Sequence, residues 1–403
     1  MKDIYHKRWL ESWLSKAVKD EPVVILTGAR QVGKSTLLKH ALSQWKYFNL
    51  DDLDTLERAQ RDPHFLLADS HVIIDEVQRA PKILLAIKQV VDESQRSFRA
   101  LLSGSANLLL MQEVTESLAG RAVVCQLRPF TWGENINREA FHTIDHLFQS
   151  RLEELKTERP EGIEDAILQG WMPVVMIERK GAPVWRWLEG YVTSYLERDL
   201  RQLSQIEALS DFRRMMQALA LRSGQILNQT EIGRDISLSQ PTVHRYLNIL
   251  EASLLLERLP AYAVSRTKRL IKAPKPFFLD SGLTAFLGGT TFIDRNERMW
   301  GCLVETAVLH HLKTWCELQT PKAQVYYWRT VSGAEVDFVI ERGGELLAIE
   351  VKSTDSPRHH HADHLRLFLQ EYPQAKAGVI VHLGNEFKIF DKHIFAVPFW
   401  ALV

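Results

Sequence analysis

Long apolar runs are missing from this chain. None approaches the roughly 20 residues that cross a bilayer, and the opening Met1-Lys-Asp-Ile-Tyr5 has no apolar core of signal length. A soluble, cytoplasmic protein with no membrane partner is therefore expected. Cysteine is scarce as well: Cys125, Cys302 and Cys316 have no ligand-like spacing, which fits a reducing compartment and leaves no disulfide framework. An excess of charge of either sign is absent, since 50 lysines and arginines balance 50 aspartates and glutamates, so any basic surface must be local. Repeats and low-complexity linkers are also lacking, and domain boundaries have to be read from changes of pattern. What the 403 residues do have is a hydrophobic content of 45%, enough to supply the cores of about two to four domains.

The most constrained pattern is Gly28-Ala29-Arg30-Gln31-Val32-Gly33-Lys34-Ser35-Thr36, directly behind the apolar run Val23–Leu26 and opening a helical run that continues to Ser43. Strand, glycine loop, Lys-Ser and helix in this order form a phosphate-binding loop, which makes ATP or GTP the first ligand to consider. The glycines let backbone N–H groups turn inward on the β-phosphate, Lys34 would reach the β- and γ-phosphates, and the Ser35 hydroxyl would ligate Mg²⁺. His71-Val-Ile-Ile-Asp75-Glu76 reads as a buried strand ending in two carboxylates. Asp75 would hold the Mg²⁺ shell through water, and Glu76 would polarise the attacking water, the mark of a hydrolase rather than a passive binder. A further strand, Phe98–Leu102, ends in Ser103-Gly-Ser105-Ala-Asn107. Ser103 there either senses the γ-phosphate or belongs to a turn that caps the next helix. Arg121, closing Glu116-Ser-Leu-Ala-Gly120-Arg121, either acts on a neighbouring subunit's γ-phosphate or is a surface arginine.

From about Thr131 to Leu203 the pattern turns helical, in Ile163–Gln169 and Trp185–Asp199, as a lid or connecting bundle would. After a helix over Asp211–Arg222, the stretch Gln229–Ile236, the turn Ser237-Leu-Ser-Gln-Pro241 and the stretch Thr242–Glu251 read as a helix-turn-helix. Ile232 and Ile236 form one apolar stripe, Val243, Leu247 and Leu250 the other, and Ser239 is placed to cap the second helix. Its exposed face carries Gln240, Thr242, His244 and Arg245, residue types that meet base edges or phosphates in a major groove. Leu254–Leu259 reads as a strand. The stretch from Ser265 to Lys275, with Arg266, Lys268, Arg269 and Lys272, reads as the cation-loaded return of a wing and would contact DNA. A packing or oligomer module is the competing use of such a fold.

In the last third, Glu335-Val-Asp337-Phe-Val-Ile340 and Leu346–Lys352 alternate as two strands around Gly343-Gly344, the residue types of a tight hairpin. Counting outward from that turn sets Arg342 opposite Glu345, Asp337 opposite Glu350 and Glu335 opposite Lys352, all on one face. Facing carboxylates ask for a divalent cation, Mg²⁺ or Mn²⁺, with Asp337 and Glu350 as ligands and Lys352 helping to orient or deprotonate water. Glu305, on a helix over Trp300–Trp315, would add a ligand. The alternative is a solvated hairpin with cross-strand ion pairs such as Glu335 to Lys352. His359-His-His361 with His364 opens a helix rather than holding a metal.

These segments together resemble a large bacterial and archaeal family of AAA-type ATPases with a C-terminal domain of unknown function. The likeness is carried by Gly28–Thr36, Asp75-Glu76, Ser103-Gly-Ser and Ser117-Leu-Ala-Gly-Arg121. It continues in Tyr195-Leu-Glu-Arg-Asp199, Thr242-Val-His-Arg-Tyr-Leu, Lys272–Leu283 with its Asp280, and the Glu335-Val-Asp337 and Glu350-Val-Lys352 pairs. The resemblance implies an α/β multidomain chain: a P-loop AAA-type domain with a parallel sheet over 1–130, a helical lid over 131–205, a winged helix-turn-helix over 206–285 and a restriction-endonuclease-like α/β domain over 286–403. For that last superfamily the implied active-site set is Glu305, Asp337, Glu350 and Lys352, with Val336 where its name would place proline. The expectation is an ATP- and Mg²⁺-dependent, DNA-processing homo-oligomer acting on duplex or branched DNA. Two readings stay open beside it: a remodelling motor whose nuclease-like domain only grips DNA, and a nucleotide-controlled signalling switch.

Overall fold

Val23–Thr27 is buried at all five positions, as an inner parallel strand covered on both faces must be. In the computed structural model, which describes residues 5–94, 97–104, 117–139, 143–152, 160–179, 181–195 and 208–402, this run is strand β1. With β2 (Lys46–Asn49), β3 (His71–Asp75), β4 (Arg99–Ser103) and β5 (Ala122–Gln126) it forms a five-stranded sheet in the order β2-β3-β4-β1-β5, every neighbouring pair parallel. Helix Ile83–Glu93 packs Ile83, Ile87 and Val91 into the same cluster as Val23, Ile25, Val72, Ile74 and Leu102. The connection after β1 runs to β2 at one edge of the sheet and the connection after β4 runs to β5 at the other, so the carboxyl ends of the adjacent strands β1 and β4 border a crevice, where open α/β sheets bind ligands.

The chain contains two compact units, one of residues 1–129 with 252–254, the other of 130–251 with 255–403. In the second, the antiparallel pair β6 (Leu256–Leu259) and β7 (Lys275–Phe278) accompanies a mixed six-stranded sheet. Its strands are β8 (Gln324–Arg329), β9 (Glu335–Arg342), β10 (Glu345–Lys352), β11 (Ala375–His382), β12 (Lys388–Asp391) and β13 (Ile394–Pro398), in the order β12-β13-β11-β10-β9-β8. Gly343 and Gly344 both have positive φ, 58° and 89°, the backbone that a two-residue hairpin turn requires, and Arg342 lies opposite Glu345 as counted. The long helix Arg298–Glu317 and the helix Asp363–Glu371 flank this sheet, the latter entered through a short turn at His359–Ala362 where His361 Nδ1 accepts from Arg358 N–H.

Helices Gln229–Asp235 and Gln240–Ala252 are joined by a tight turn: a Cβ on Gly233 would fall 2.6 Å from the Leu238 carbonyl oxygen. Ser239 Oγ accepts from Thr242 N–H at 3.3 Å, as its place before the helix predicts. Two expectations are corrected here. The strand expected from Leu254 starts at Leu256, because Leu254 itself sits at a φ of 55°. The basic stretch expected to return as a strand is instead the helix Arg266–Ile271, which Ser265 caps, and β7 begins only at Lys275. Arg-Thr-Lys-Arg-Leu-Ile lacks the alternation of a strand, and a serine before it favours helix entry.

Asp280, which the sequence singles out without a role, is structural. Its carboxylate accepts from Trp171 N–H at 2.6 Å and Leu283 N–H at 2.9 Å, joining the end of helix Ile163–Gln169 to the start of helix Ser281–Gly288. The two approach so closely that a Cβ on Gly282 would lie 2.1 Å from the Gln169 carbonyl oxygen. Of the accompanying motif, Leu196–Asp199 lies outside the described residues.

His311, fully buried in helix Arg298–Glu317, accepts the Trp132 N–H at Nε2 (3.0 Å), while its Nδ1 donates to Ala307 O (2.7 Å). That arrangement needs the neutral ring, and burial pushes its pKa down to about 4. Because the unfolded value is higher, near 6.5, His311's contribution is complete above pH 6.5 and is lost as the pH falls towards 4, about 3 kcal/mol in all. Asp280, pushed up to about 6 by burial, acts in the opposite sense, its share being lost as pH rises through 6. Urea titrations of the full chain between pH 7 and 4 should therefore show a flatter loss of stability in His311→Gln than in the wild type. An identical slope in the two proteins would mean that His311 is not held neutral.

Candidate nucleotide site and a buried carboxylate cluster

The loop between β1 and helix Lys34–Ala41 is shaped by its glycines. A Cβ on Gly28 would lie 2.5 Å from the Leu127 carbonyl oxygen, and Gly33 sits at a φ of 95° just before the helix. No side chain caps that helix, so its first N–H groups remain available to an anion. Ala29 and Val32 are buried, Arg30 and Ser35 half-buried, and Gln31 and Thr36 exposed. Lys34 is buried and its Nζ donates to the carbonyls of Gly28 and Ala29, each at 3.0 Å. Burial holds its pKa below the ordinary lysine value, opposed by Glu76 and Asp75.

Asp75 ends β3 beside Asn49 of β2, and Ser103 ends β4 beside Leu26 of β1. The Asp75 carboxylate, 1% exposed, accepts from Ser103 Oγ and from the Tyr47 hydroxyl, both at 2.6 Å, and from Glu76 N–H at 3.1 Å. Tyr47 also hydrogen-bonds Ser35. Glu76 is held at a φ of 58°, unusual for a residue with a side chain, and accepts from Gln78 Nε2. Burial pushes its carboxyl above the usual glutamate range, with Lys34 pulling it back. Lys34, Ser35, Asp75, Glu76 and Ser103 each stand at or just past a strand end or at a helix start, which marks them in the sequence. Tyr47 and Arg8 carry no comparable signal. Arg8, 3% exposed, donates to Val32 O (2.8 Å), Arg128 O (2.6 Å) and Pro129 O (3.1 Å), tying the loop to the segment after β5. Arg121 grips Asp92 through both Nε and Nη2, at 2.7 and 2.8 Å. Ser105 and Asn107 lie outside the described residues.

These donors suit Mg²⁺: a serine hydroxyl at the helix start shares Tyr47 with a buried carboxylate whose hydrogen-bond donors are all neutral. The second set of acids differs. Asp337 Oδ2 accepts from Val351 N–H at 2.7 Å, ending the β9–β10 ladder, which pairs as far as Ile349 and Phe338. Glu350 Oε1 accepts from Lys352 Nζ at 2.7 Å, while Glu350 Oε2 is buried without a partner. Glu335 does not pair with Lys352 as the count suggested; it accepts from Lys275 Nζ and from Arg329 Nη1. Glu305, Asp337 and Glu350 interact electrostatically, and burial, the largest influence on each, pushes all three carboxyls upward. Lys275, which sequence reasoning placed only in a wing, stands among them. Among the described residues no group of three or more histidine, cysteine, aspartate or glutamate side chains is gathered so as to hold a metal ion.

On the helix-turn-helix, Gln240, His244 and Arg245 are exposed and Thr242 half-buried. His244 bonds Asn248 at 3.1 Å, Gln240 bonds Gln229 at 3.2 Å, and Arg245 lies over the Tyr246 ring. Lys268 and Lys272 are exposed. Arg269 is not available in the same way, because it donates to Glu341 and to the Tyr326 hydroxyl and stacks on Tyr262 and Tyr326. The side chain of Arg266 lies outside the described residues.

Residues 20–136 match the family model described as an AAA domain, while 160–293 and 300–402 match models described only as domains of unknown function, DUF8612 and DUF4143. Uncharacterized proteins of Mycobacterium tuberculosis and Mycobacterium bovis are each 29% identical to the chain over 391 residues, 96% of this chain and 82% of theirs. One from Haemophilus influenzae is 22% identical, over 88% of this chain and 89% of its own. A Walker-type ATPase of Pyrococcus abyssi aligns with a TM-score of 0.47 and 17% identity, over 71% of this chain and 97% of that one. The loop geometry and the AAA match make the first unit a P-loop ATPase domain of the AAA type. No helix among the described residues is long and apolar enough to cross a membrane.

Arg8→Ala removes three charged hydrogen bonds behind the loop. It should lower the stability of the first unit by about 2–4 kcal/mol and weaken nucleotide binding, read by thermal unfolding with and without ATP. Arg8→Lys should not restore either, since an ammonium lacks the guanidinium fork; full rescue by lysine would refute the role given to that fork.

Proposed function

We propose that the protein hydrolyses ATP with Mg²⁺ and couples the cycle to action on DNA through its second unit. The observation that carries the first part is the convergence of Lys34, Ser35, Asp75, Glu76 and Ser103 at the carboxyl ends of β1, β3 and β4. Ser35, and Asp75 through water, would hold Mg²⁺, which when bound would supply neutralisation of the charge that develops on the phosphates. Lys34 exchanges its carbonyl partners for phosphate oxygens. Glu76, with its raised pKa and its backbone fixed at the end of β3, takes the proton of the attacking water. Ser103 keeps Asp75 oriented and lies where a γ-phosphate would be sensed. Arg121, released from Asp92, would reach a second copy in a homo-oligomer.

DNA is supported by the helix pair Gln229–Asp235 and Gln240–Ala252, followed by the β6–β7 pair in the manner of a winged helix. Gln240, Thr242, His244 and Arg245 would enter the groove, with Lys268 and Lys272 on backbone phosphates. The β8–β11 sheet with Asp337, Glu350 and Lys352 fits a restriction-endonuclease-like domain. Lys275 among its acids favours the version in which this domain grips DNA without cutting it. Cytoplasmic location suits this reading.

The test is ATP turnover with Mg²⁺ alone and with linear, single-stranded or branched DNA, the same DNAs being run on denaturing gels. Turnover should rise several-fold with duplex or branched DNA, and the strands should remain intact. Glu76→Gln should bind ATP but hydrolyse it about 100-fold more slowly or worse. His244→Ala with Arg245→Ala should keep basal turnover and lose the stimulation. Indifference of the ATPase to every DNA would remove the DNA reading and favour a nucleotide-controlled switch.

A further inference from the structure

Both oxygens of the Asp75 carboxylate are engaged, but unequally. Oδ1 accepts twice, from Ser103 Oγ at 2.6 Å and from Glu76 N–H at 3.1 Å. Oδ2 accepts from the Tyr47 hydroxyl alone among the described residues, at 2.6 Å. An ionised carboxylate offers about two acceptor directions on each oxygen. Oδ1 is therefore filled by the chain itself, and the direction left open is on Oδ2, beside Tyr47. A water in the Mg²⁺ shell would donate there.

Tyr47 reaches this oxygen along the strand. In the β2–β3 register it lies opposite Ile73, and the residue beside Asp75 is Asn49, so the phenol spans two residues, about 6.6 Å at roughly 3.3 Å per residue. A serine or threonine at position 47 would fall short. The ring is also held by Lys39, whose Nζ stands 5.0 Å from the ring centre. Lys39 belongs to Lys34–Ala41, the helix that opens with Lys34 and Ser35. A side chain on the edge strand of the sheet is thus fixed against both the helix after the phosphate loop and the acid at the end of β3.

We infer that Tyr47 is a positioning residue of the Mg²⁺ site: its hydroxyl sets which direction on Asp75 Oδ2 stays open, and so controls how much Mg²⁺ adds to nucleotide affinity, acting through Asp75 and not on the nucleotide. This rests on the reading of the first unit as a Mg²⁺-dependent nucleotide site and is independent of DNA. The competing role is structural. A tyrosine that only pinned the edge strand β2 to β3 would weaken nucleotide binding equally with and without the ion.

The test is calorimetric titration of the full-length chain with a non-hydrolysable imido analogue of ATP, in Mg²⁺ and in EDTA, in four proteins: wild type, Tyr47→Phe, Asp75→Asn and the double variant. Phenylalanine keeps the ring beside Lys39 and removes only the hydroxyl. Mg²⁺ should tighten binding to the wild type; in Tyr47→Phe that gain should shrink by about fivefold or more, with affinity in EDTA within about twofold of wild type. In Asp75→Asn the gain should already be small, and adding Tyr47→Phe should lower it no further. A gain in Tyr47→Phe equal to that of the wild type overturns the inference, as does an equal loss with and without Mg²⁺ or a further loss in the double variant, and each of these leaves the nucleotide reading standing. A wild type whose affinity ignores Mg²⁺ removes that reading and the inference with it. If Tyr47→Phe melts too low to titrate, adding Asp75→Asn should restore its melting temperature, because the hydroxyl serves the buried charge. Failure of that restoration also overturns the inference.

Discussion

The Asp75 carboxylate, buried at the end of β3, is the point on which the nucleotide site depends. A carboxylate removed from water must find hydrogen-bond donors, and here they come from β2, β4 and its own neighbour: Tyr47, Ser103 and Glu76 N–H. Satisfying Asp75 therefore fixes three strands in register at one end of the sheet. The same bonds turn the chain so that Glu76 takes its left-handed backbone and approaches Lys34. Arg8 applies the same rule on the other side of the loop, its guanidinium matching three carbonyls that the turn leaves over.

In the second unit buried charge again decides the local structure, with different partners. Arg269 closes on Glu341 and two tyrosine rings, which turns a stretch that reads as a free basic surface into an anchor for the helix Arg266–Ile271. Lys275 does the same at the next strand. Of the cations that make residues 265–275 look like a nucleic-acid contact, Lys268 and Lys272 face solvent, whereas Arg269 and Lys275 serve the fold.

Local chemistry made much of this legible in the sequence. The glycine loop behind Val23–Leu26, the turn at Gly343-Gly344 with Arg342 opposite Glu345, and the cap at Ser239 all follow from residues adjacent in the chain. What was not legible depends on partners far apart. Arg8 bonds carbonyls 24, 120 and 121 positions away, and Lys275 meets Glu335 across 60. No periodicity or spacing reports such a contact. The partners of the basic stretch 265–275 are hidden for a different reason: charge composition does not report exposure, which is set by the acids that the fold brings to each cation.

Each unit thus sets a buried lysine close to acids, and what holds the ammonium separates the two. Lys34 rests on two neutral carbonyls and burial lowers its pKa, so it is a weakly partnered cation that a phosphate, carrying full negative charge, can draw away. Lys275 rests on carboxylates that raise its pKa, and a ligand would have to replace interactions as strong as its own. Glu76 thus has as its neighbour a lysine held by carbonyls alone. In the second unit Lys352 donates to Glu350 Oε1 at 2.7 Å and Lys275 meets Glu335. Similar residues, an acid pair at a strand end with a lysine near it, therefore leave the ammonium on neutral carbonyls in one unit and against a carboxylate in the other.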